Sequence, residues 1–299
     1  MPHPASPKDR RNGHMAMLTF SFLVAGSFSL GSMAANDITP LALNAVRFFS
    51  AAVIVGIIAA STGGIPKEAF RQPWRYAILG GIFAFYFVMM FFGLKTAKPV
   101  STAAIFTLTP VLAAGFGYII MRQITTKRIA TALAIGAVGA LWVIFKGDIH
   151  ALLAFEVGRG EAIYFVGVIA HAVYTPLVPR LSHGERTFVF TFFVLSAASI
   201  VIVLFGWKDV LETDWMNLPA IVWIAIGYIT IFATTITASL LAYASVRLAS
   251  AKVMAYTYLV PSWVIIWEFG LGHGVPGALV FGGIGLTILA LYLLLKHEA

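Results

Sequence analysis

Residues 99–121 read PVSTAAIFTLTPVLAAGFGYIIM, a stretch of 23 residues that has no charged side chain and has Pro110 near its centre. An α-helix rises ~1.5 Å per residue, so about 20 apolar residues cross the ~30 Å hydrocarbon core of a bilayer. Proline lacks the amide hydrogen that a helix needs at this point. The stretch is therefore predicted to be a membrane-spanning helix with a kink at its centre.

Nine further windows of the sequence have the same length and apolar character. Together the ten predicted helices cover residues 15–34, 38–60, 74–94, 99–121, 128–145, 161–179, 187–205, 219–243, 250–269 and 275–295. The composition agrees, since 60% of the residues are hydrophobic and only 11% are charged, which is typical of a chain whose solvent is lipid. The absence of cysteine excludes disulfides and thiolate metal sites. The fold class is therefore predicted to be all-α and integral to the membrane.

The net charge of +8 is distributed across the predicted membrane rather than gathered on one surface. With a cytoplasmic N-terminus, 14 of the 20 basic residues lie on the inner side, five lie on the outer side, and Arg47 lies inside a helix. This asymmetry predicts that both termini are cytoplasmic. Residues 1–14 are predicted to be a disordered cytoplasmic tail. Nucleic-acid binding is not expected, because the basic residues are scattered over many loops without accompanying aromatics.

An internal repeat organises the ten helices. Shifting the sequence by 151 residues aligns residues 92–145 with 243–296 without gaps and pairs Pro110 with Pro261. The first five-helix repeat is then 15–145, a periplasmic connection is 146–160, and the second repeat is 161–296. Five is odd, so the second half must enter the membrane from the opposite face. Inverted repeats are common in transporters, and they predict a central cavity at the interface of the halves.

Small residues precede the central proline in both halves, at 101–104 and 249–251, and Pro40 is followed by Arg47 and Phe48 in the second helix. In these features the chain resembles the drug/metabolite transporter superfamily and its EamA-type repeats. The resemblance covers all ten helices and is greatest to bacterial amino-acid exporters of the YddG type. It implies a monomer in the bacterial inner membrane that exports neutral metabolites, chiefly aromatic and other hydrophobic or neutral amino acids, by alternating access. It implies neither enzymatic activity nor a cofactor.

Residue types and motifs that are absent from the sequence reduce the number of possible transport mechanisms. No Asp or Glu falls in the middle of a predicted helix, which disfavours cation substrates and carboxylate-driven proton antiport. Uniport-like or weakly coupled transport is therefore expected. The sequence also has no zinc-protease or phosphate-binding motif, and no nucleophile elbow on a plausible strand. A carrier of sugar phosphates or nucleotide sugars, proton-coupled drug efflux, a membrane enzyme and a lipid scramblase remain as alternatives.

Polar and aromatic residues at helical spacing indicate which faces line the cavity. The sixth helix carries Tyr164, His171, Tyr174 and Thr175 on one face. His171 lies near the middle of that helix, where an ionisable residue points to function. It could line the cavity, pack through a hydrogen bond, or couple transport to protons, since an unperturbed imidazole has a pKa of ~6.5.

The two central prolines suggest a second group of candidates. Each proline leaves the carbonyl four residues earlier without its helical partner, which frees the oxygens of Phe106 and Thr257. A substrate ammonium group could use them, or neighbouring helices and waters could satisfy them. With similar stripes on the first, third and eighth helices, the predicted binding residues are His171, Tyr174, Thr107, Tyr258, Tyr86, Phe83, Thr230, Thr234 and Ser29. The predicted kinks are Pro110, Pro261 and Pro176, and no metal site is predicted.

Overall fold

The computed structural model describes residues 7–153 and 157–295, and these residues form a helical bundle. The helices of the first half are α1 (Pro7–Ala34), α2 (Pro40–Ser61), α3 (Trp74–Leu94), α4 (Pro99–Phe106), α5 (Thr109–Met121) and α6 (Lys127–Ile144). A short helix, α7 (Ile149–Leu153), follows in the connection. The helices of the second half are α8 (Arg159–Leu181), α9 (Thr187–Glu212), α10 (Ala220–Thr230), α11 (Thr237–Ser245), α12 (Ser250–Ala255), α13 (Val260–Gly270) and α14 (Ala278–Leu295).

Nine helices within the described ranges are long and apolar enough to cross a membrane. The remaining predicted crossing, 250–269, is also helical but interrupted: α12, a 3₁₀ turn at Tyr256–Leu259 and α13 follow one another directly. The tighter turn lies just before Pro261, which occupies the first turn of α13, where a missing amide hydrogen is tolerated. Nine of the ten predicted crossings therefore have the length and hydropathy of a membrane span within the described residues, and the ninth predicted crossing is divided into three pieces.

The first helix begins earlier than predicted. Residues 7–14 belong to α1, so this part of the predicted disordered tail is helical. A physical reason is that the segment packs against the second half, where the Tyr256 hydroxyl and His14 Nδ1 are 3.1 Å apart. Residues 1–6 of the predicted tail lie outside the described residues, as do 154–156 of the predicted connection.

The two halves are packed with opposite orientations. α4 contacts α13 and α5 contacts α12, so the beginning of the fourth crossing lies beside the end of the ninth. The fifth and tenth crossings are also antiparallel, because Trp142 Nε1 near the end of α6 donates to the Leu279 carbonyl at the start of α14, over 2.9 Å. These helices approach closely where both have glycine: a Cβ on Gly139 would lie 2.7 Å from the Gly283 carbonyl oxygen. The pairing confirms the inverted two-repeat architecture.

The connections meet at two ends of the bundle. At one end, which we call the inner end because it carries the predicted cytoplasmic loops, Arg75 of α3 pairs with Glu185 between α8 and α9. At the opposite, outer end, a cleft of about 590 Å³ contains Lys98, Lys146 and Glu268. Successive crossings alternate in direction between these two ends. The centre of the bundle lies midway between them.

Candidate functional site

The centre of the bundle contains a stacked aromatic cluster built around His171 of α8. The imidazole stacks on Tyr86 of α3 and on Phe106 of α4, with ring centroids 4.4 and 5.4 Å away and interplanar angles of 14° and 15°. The centroids of Tyr86 and Phe106 are themselves 6.0 Å apart, so the three rings form a triangle. Phe83 and Tyr174 lie further from the imidazole, with ring centroids 6.3 and 6.1 Å away. Their own rings stack on each other, with centroids 4.9 Å apart. The 3.6-residue period of α3 and α8 explains this arrangement, since it brings Phe83 and Tyr86, and His171 and Tyr174, to the same face of each helix.

The cluster extends to the first helix through hydroxyl and edge contacts. The hydroxyl oxygens of Tyr86 and Tyr164 are 3.0 Å apart. Phe28 of α1 packs against Tyr164 and Phe106, with ring centroids 6.0 and 5.9 Å away. The cluster therefore joins four crossings, α1, α3, α4 and α8, that belong to both halves.

The predicted binding residues are enclosed in this structure. All nine are at most 4% exposed, so their side chains fill the centre instead of standing around an open space. Four of them contain polar atoms that have no hydrogen-bond partner: His171 Nδ1, Ser29 Oγ, Thr230 Oγ1 and Tyr258 Oη. Buried polar groups are normally satisfied, and an exception calls for an explanation. These atoms are therefore candidates for contact with a ligand.

Arg47 of α2 lies beside the aromatic cluster and is completely buried. Its Nε donates to Thr234 Oγ1 over 2.5 Å, and its Nη2 donates to the Ala233 carbonyl over 3.0 Å. Both acceptors lie in a π-helical turn, Ile231–Ile236, between α10 and α11. The guanidinium also lies over the ring of Phe87, 3.8 Å from its centroid. Thr234, predicted as a binding residue, therefore reaches the centre as a partner of Arg47.

Thr107 and Tyr258, which the repeat places at equivalent positions, lie apart from the cluster. The Thr107 hydroxyl donates to the Ala104 carbonyl over 2.6 Å, closing the end of α4. The Tyr258 ring packs against α6, where the lack of a side chain at Gly136 makes room for it. Tyr258 Oη has no hydrogen-bond partner. The structure contains no ring contact that links either residue to His171 among those described.

The prolines divide the helices as predicted at two of three positions. The chain leaves the α-helix immediately before Pro110 and Pro261, but α8 continues through Pro176. The carbonyls predicted to be free are satisfied locally: Phe106 O accepts the Thr109 hydroxyl over 2.5 Å, and Thr257 O accepts the Val260 amide. Of the two alternatives for these carbonyls, the structure shows satisfaction by neighbouring groups. A kink at Pro176 stays a prediction.

The sequence analysis did not identify the rings of Phe106 and Phe28 as members of the central cluster. It also did not place Arg47 beside this cluster. The phenylalanines gave no distinguishing signal among the 24 in the chain. Arg47 gave one, since a cation within an apolar helix marks a functional position by default. Asn44, three residues earlier in α2, lies next to Arg47, with Oδ1 3.4 Å from Nη1. The other partners, Ala233 and Thr234, come from the opposite half and could not be read from local sequence.

The comparisons with known proteins agree with this architecture. Models of the EamA-like transporter family match residues 11–145 and 158–296. The chain is 29% identical over 278 residues to "Uncharacterized transporter YyaM" of Bacillus subtilis (strain 168), covering 91% of this chain and 90% of that protein. It is 23% identical over 291 residues to "S-adenosylmethionine/S-adenosylhomocysteine transporter" of Chlamydia muridarum (strain MoPn / Nigg), covering 93% and 90%.

A solved crystal structure shares the fold, with a TM-score of 0.71 and 19% identity over 97% of this chain and 96% of that chain. Both family matches fall on a five-crossing half, and the two halves pack as inverted repeats. The chain belongs to the EamA-like transporter family.

Proposed function

We propose that this membrane transporter exports aromatic and other hydrophobic or neutral amino acids across the bacterial inner membrane. The observation that carries the proposal is the stacked cluster of His171, Tyr86 and Phe106, with Phe83 and Tyr174 beside it. Flat rings accept a flat apolar side chain by stacking, and a few placed polar atoms orient it. The partnerless Nδ1 of His171 provides such an atom within the cluster.

Transport by alternating access fits the enclosed centre. A substrate enters when one end of the bundle opens and leaves when the other end opens, and both halves contribute to the central cluster. No carboxylate lies among the residues that surround His171 in the described part of the chain. Substrate exchange should therefore not require a proton gradient, and the mechanism is uniport-like or weakly coupled.

Counterflow in proteoliposomes tests the proposal. Vesicles loaded with unlabelled phenylalanine should take up labelled phenylalanine, and collapse of a pH gradient should leave this exchange largely intact. The panel should include tryptophan, leucine, a sugar phosphate and S-adenosylmethionine, since the last combines an amino acid with an aromatic base. Exchange of the sugar phosphate alone would contradict the proposal, and strict dependence on the gradient would make His171 the candidate proton carrier.

The direction of export depends on which end faces the cytoplasm. We propose that both termini are cytoplasmic, as the distribution of basic residues indicates. A periplasm-active phosphatase fused after Ala299 should be inactive, and the same enzyme inserted between Lys146 and Arg159 should be active. The reverse pattern would overturn the orientation without affecting the family assignment.

A further inference from the structure

Arg47 is a buried cation whose charge the described part of the protein does not neutralise. It is 0% exposed, and its hydrogen-bond acceptors are the Thr234 hydroxyl, the Ala233 carbonyl and the Asn44 amide oxygen. All three acceptors are neutral. The ion pairs within residues 7–153 and 157–295 involve other residues, and the acidic side chains lie at helix ends or in connections.

The guanidinium also has unused hydrogen-bonding capacity. Arginine has five N–H donors and remains protonated in proteins. Three donors are used in this structure, and the contact with Asn44, at 3.4 Å, is long. Two donors are left over. A buried charge is costly unless it is paired and fully hydrogen bonded, so this site is incomplete without a partner of negative charge.

The position of Arg47 connects this incomplete site to the aromatic cluster. One face of the Phe87 ring is covered by the guanidinium, at 3.8 Å. The same ring packs against Tyr86 and Phe83, with centroids 4.5 and 4.9 Å away. A molecule with an anionic group and an aromatic side chain can therefore place the first at Arg47 and the second among the rings, since Phe87 contacts both.

We infer that Arg47 binds the α-carboxylate of the transported amino acid. The planar guanidinium matches a carboxylate in a two-point contact, and the two leftover donors are available for it. The inference rests on the proposed function and specifies the charge that a substrate must carry. The π-helical turn supports it, because Ala233 and Thr234 hold the guanidinium in place without neutralising it.

The first experiment compares three ligands on the wild-type protein. Phenylalanine, phenylalanine amide and 3-phenylpropionate share the aromatic ring, but the amide lacks the carboxylate and the propionate lacks the ammonium group. We measure competition in counterflow and the thermal stabilisation of purified protein by each ligand. The amide should bind roughly 10- to 100-fold more weakly than phenylalanine, the usual effect of losing a charged hydrogen bond. The propionate should keep more of the affinity than the amide does.

The second experiment gives Arg47 a negatively charged partner within the protein. Asn44→Asp places a carboxylate where the Asn44 amide oxygen already contacts Nη1 of Arg47. The variant loses the hydrogen bond from Asn44 Nδ2 to the Pro40 carbonyl and pairs Arg47 instead. It should bind phenylalanine roughly 10-fold or more weakly, because its own carboxylate competes. Asn217→Asp makes the same chemical change at an exposed site at the outer end and should leave binding unchanged. Arg47→Met should abolish the preference for phenylalanine over its amide.

The outcomes separate the two proposals. If phenylalanine is exchanged and the amide binds equally well, the carboxylate inference is wrong and the amino-acid proposal stands. Unchanged phenylalanine affinity in Asn44→Asp would overturn the inference as well, even if Arg47→Met failed to fold. If none of the three compounds is exchanged or stabilises the protein, the proposed function is wrong and the inference falls with it.

Discussion

Two arginines are buried in this protein, and their surroundings differ. Arg75 at the inner end is 2% exposed, and its Nη2 lies 2.7 Å from Glu185 Oε1, while Nη1 donates to the Leu181 carbonyl over 2.5 Å. Arg47 at the centre is 0% exposed and has only neutral acceptors among the described residues. The charge of Arg75 is thus paired within the protein, although its Nε has no hydrogen-bond partner, whereas the charge of Arg47 is not paired. We therefore propose that Arg75 holds the inner end closed and that Arg47 binds the substrate.

Further contacts across the inner end have the same character as the Arg75 pair. Arg186 donates to the carbonyl oxygens of Thr62 and Gly64, and Arg180 donates to Ile120 O over 3.0 Å. These bonds tie the start of α9 to the end of α2, and the end of α8 to the end of α5. Opening toward this side therefore requires that the Arg75–Glu185 pair and its neighbours separate.

The largest effect is expected from breaking the pair at the inner end. Glu185→Gln should leave Arg75 as an unpaired buried cation and should destabilise the protein by about 3 kcal/mol, at the low end for a buried pair because the site borders water. Thermal denaturation in detergent measures this loss. Glu212→Gln, at an exposed site at the other end, is the control and should have little effect. Equal stability of Glu185→Gln and wild type would show that the pair does not hold the end closed.

Lowering the pH should reproduce, in the wild-type protein, part of the loss of stability expected for Glu185→Gln. Burial alone would raise the pKa of the Glu185 carboxyl, but the hydrogen bond from Arg75 and the backbone amides of Glu185 and His183 outweigh it and hold the pKa below its ordinary value. A lowered folded-state pKa means that the stabilisation is fully present above the unfolded value of ~4.3 and disappears as the pH falls through the folded value. Unfolding curves from pH 7 downward should show this decline in wild type and a smaller one in Glu185→Gln.

At the centre, the expected effects are on transport. His171→Ala removes the ring that stacks on Tyr86 and Phe106 and should lower substrate affinity about two- to twelve-fold, as for one neutral hydrogen bond. Membrane insertion and expression should be retained. Tyr258→Ala, which lies outside the cluster, should change stability more than affinity. Full transport with unchanged substrate preference in His171→Ala would place the site elsewhere in the bundle.

The smallest effects come from a matched pair of hydroxyl deletions. Tyr76 Oη lies 3.1 Å from Glu185 Oε1 at the inner end, and Tyr86 Oη lies 3.0 Å from Tyr164 Oη at the centre. Tyr76→Phe should lower stability by about 0.5–1.5 kcal/mol and leave affinity unchanged. Tyr86→Phe should lower affinity only a few-fold. If both variants behaved alike, the division between closure and recognition would be lost.

The features that could be predicted from sequence are those that depend on local pattern. The length of the apolar stretches located the membrane crossings. The helical spacing of Tyr164, His171 and Tyr174 identified a face of α8, and in the structure this face meets the face of α3 that carries Phe83 and Tyr86. Periodicity says which side chains share a face, but not which faces meet. Thr107 and Tyr258 are equivalent by the repeat, yet Tyr258 turns toward α6, where Gly136 leaves space for its ring. Arg47 acquires its acceptors from α10–α11, which lie more than 180 residues away in sequence.

A π turn is in effect an α-helix with one additional residue, and here it occurs in only one of the two repeats. The third crossing, α3, is α-helical from Trp74 to Leu94, whereas its counterpart in the second repeat is interrupted at Ile231–Ile236. Arg47 likewise lies 14 residues before the end of α2, and the residue 14 before the end of α9 is Ala198. The charge and the turn that holds it therefore have no mirror image. The two repeats are therefore not equivalent at the centre of the bundle, and symmetry does not require the states that open to either side of the membrane to have equal energy.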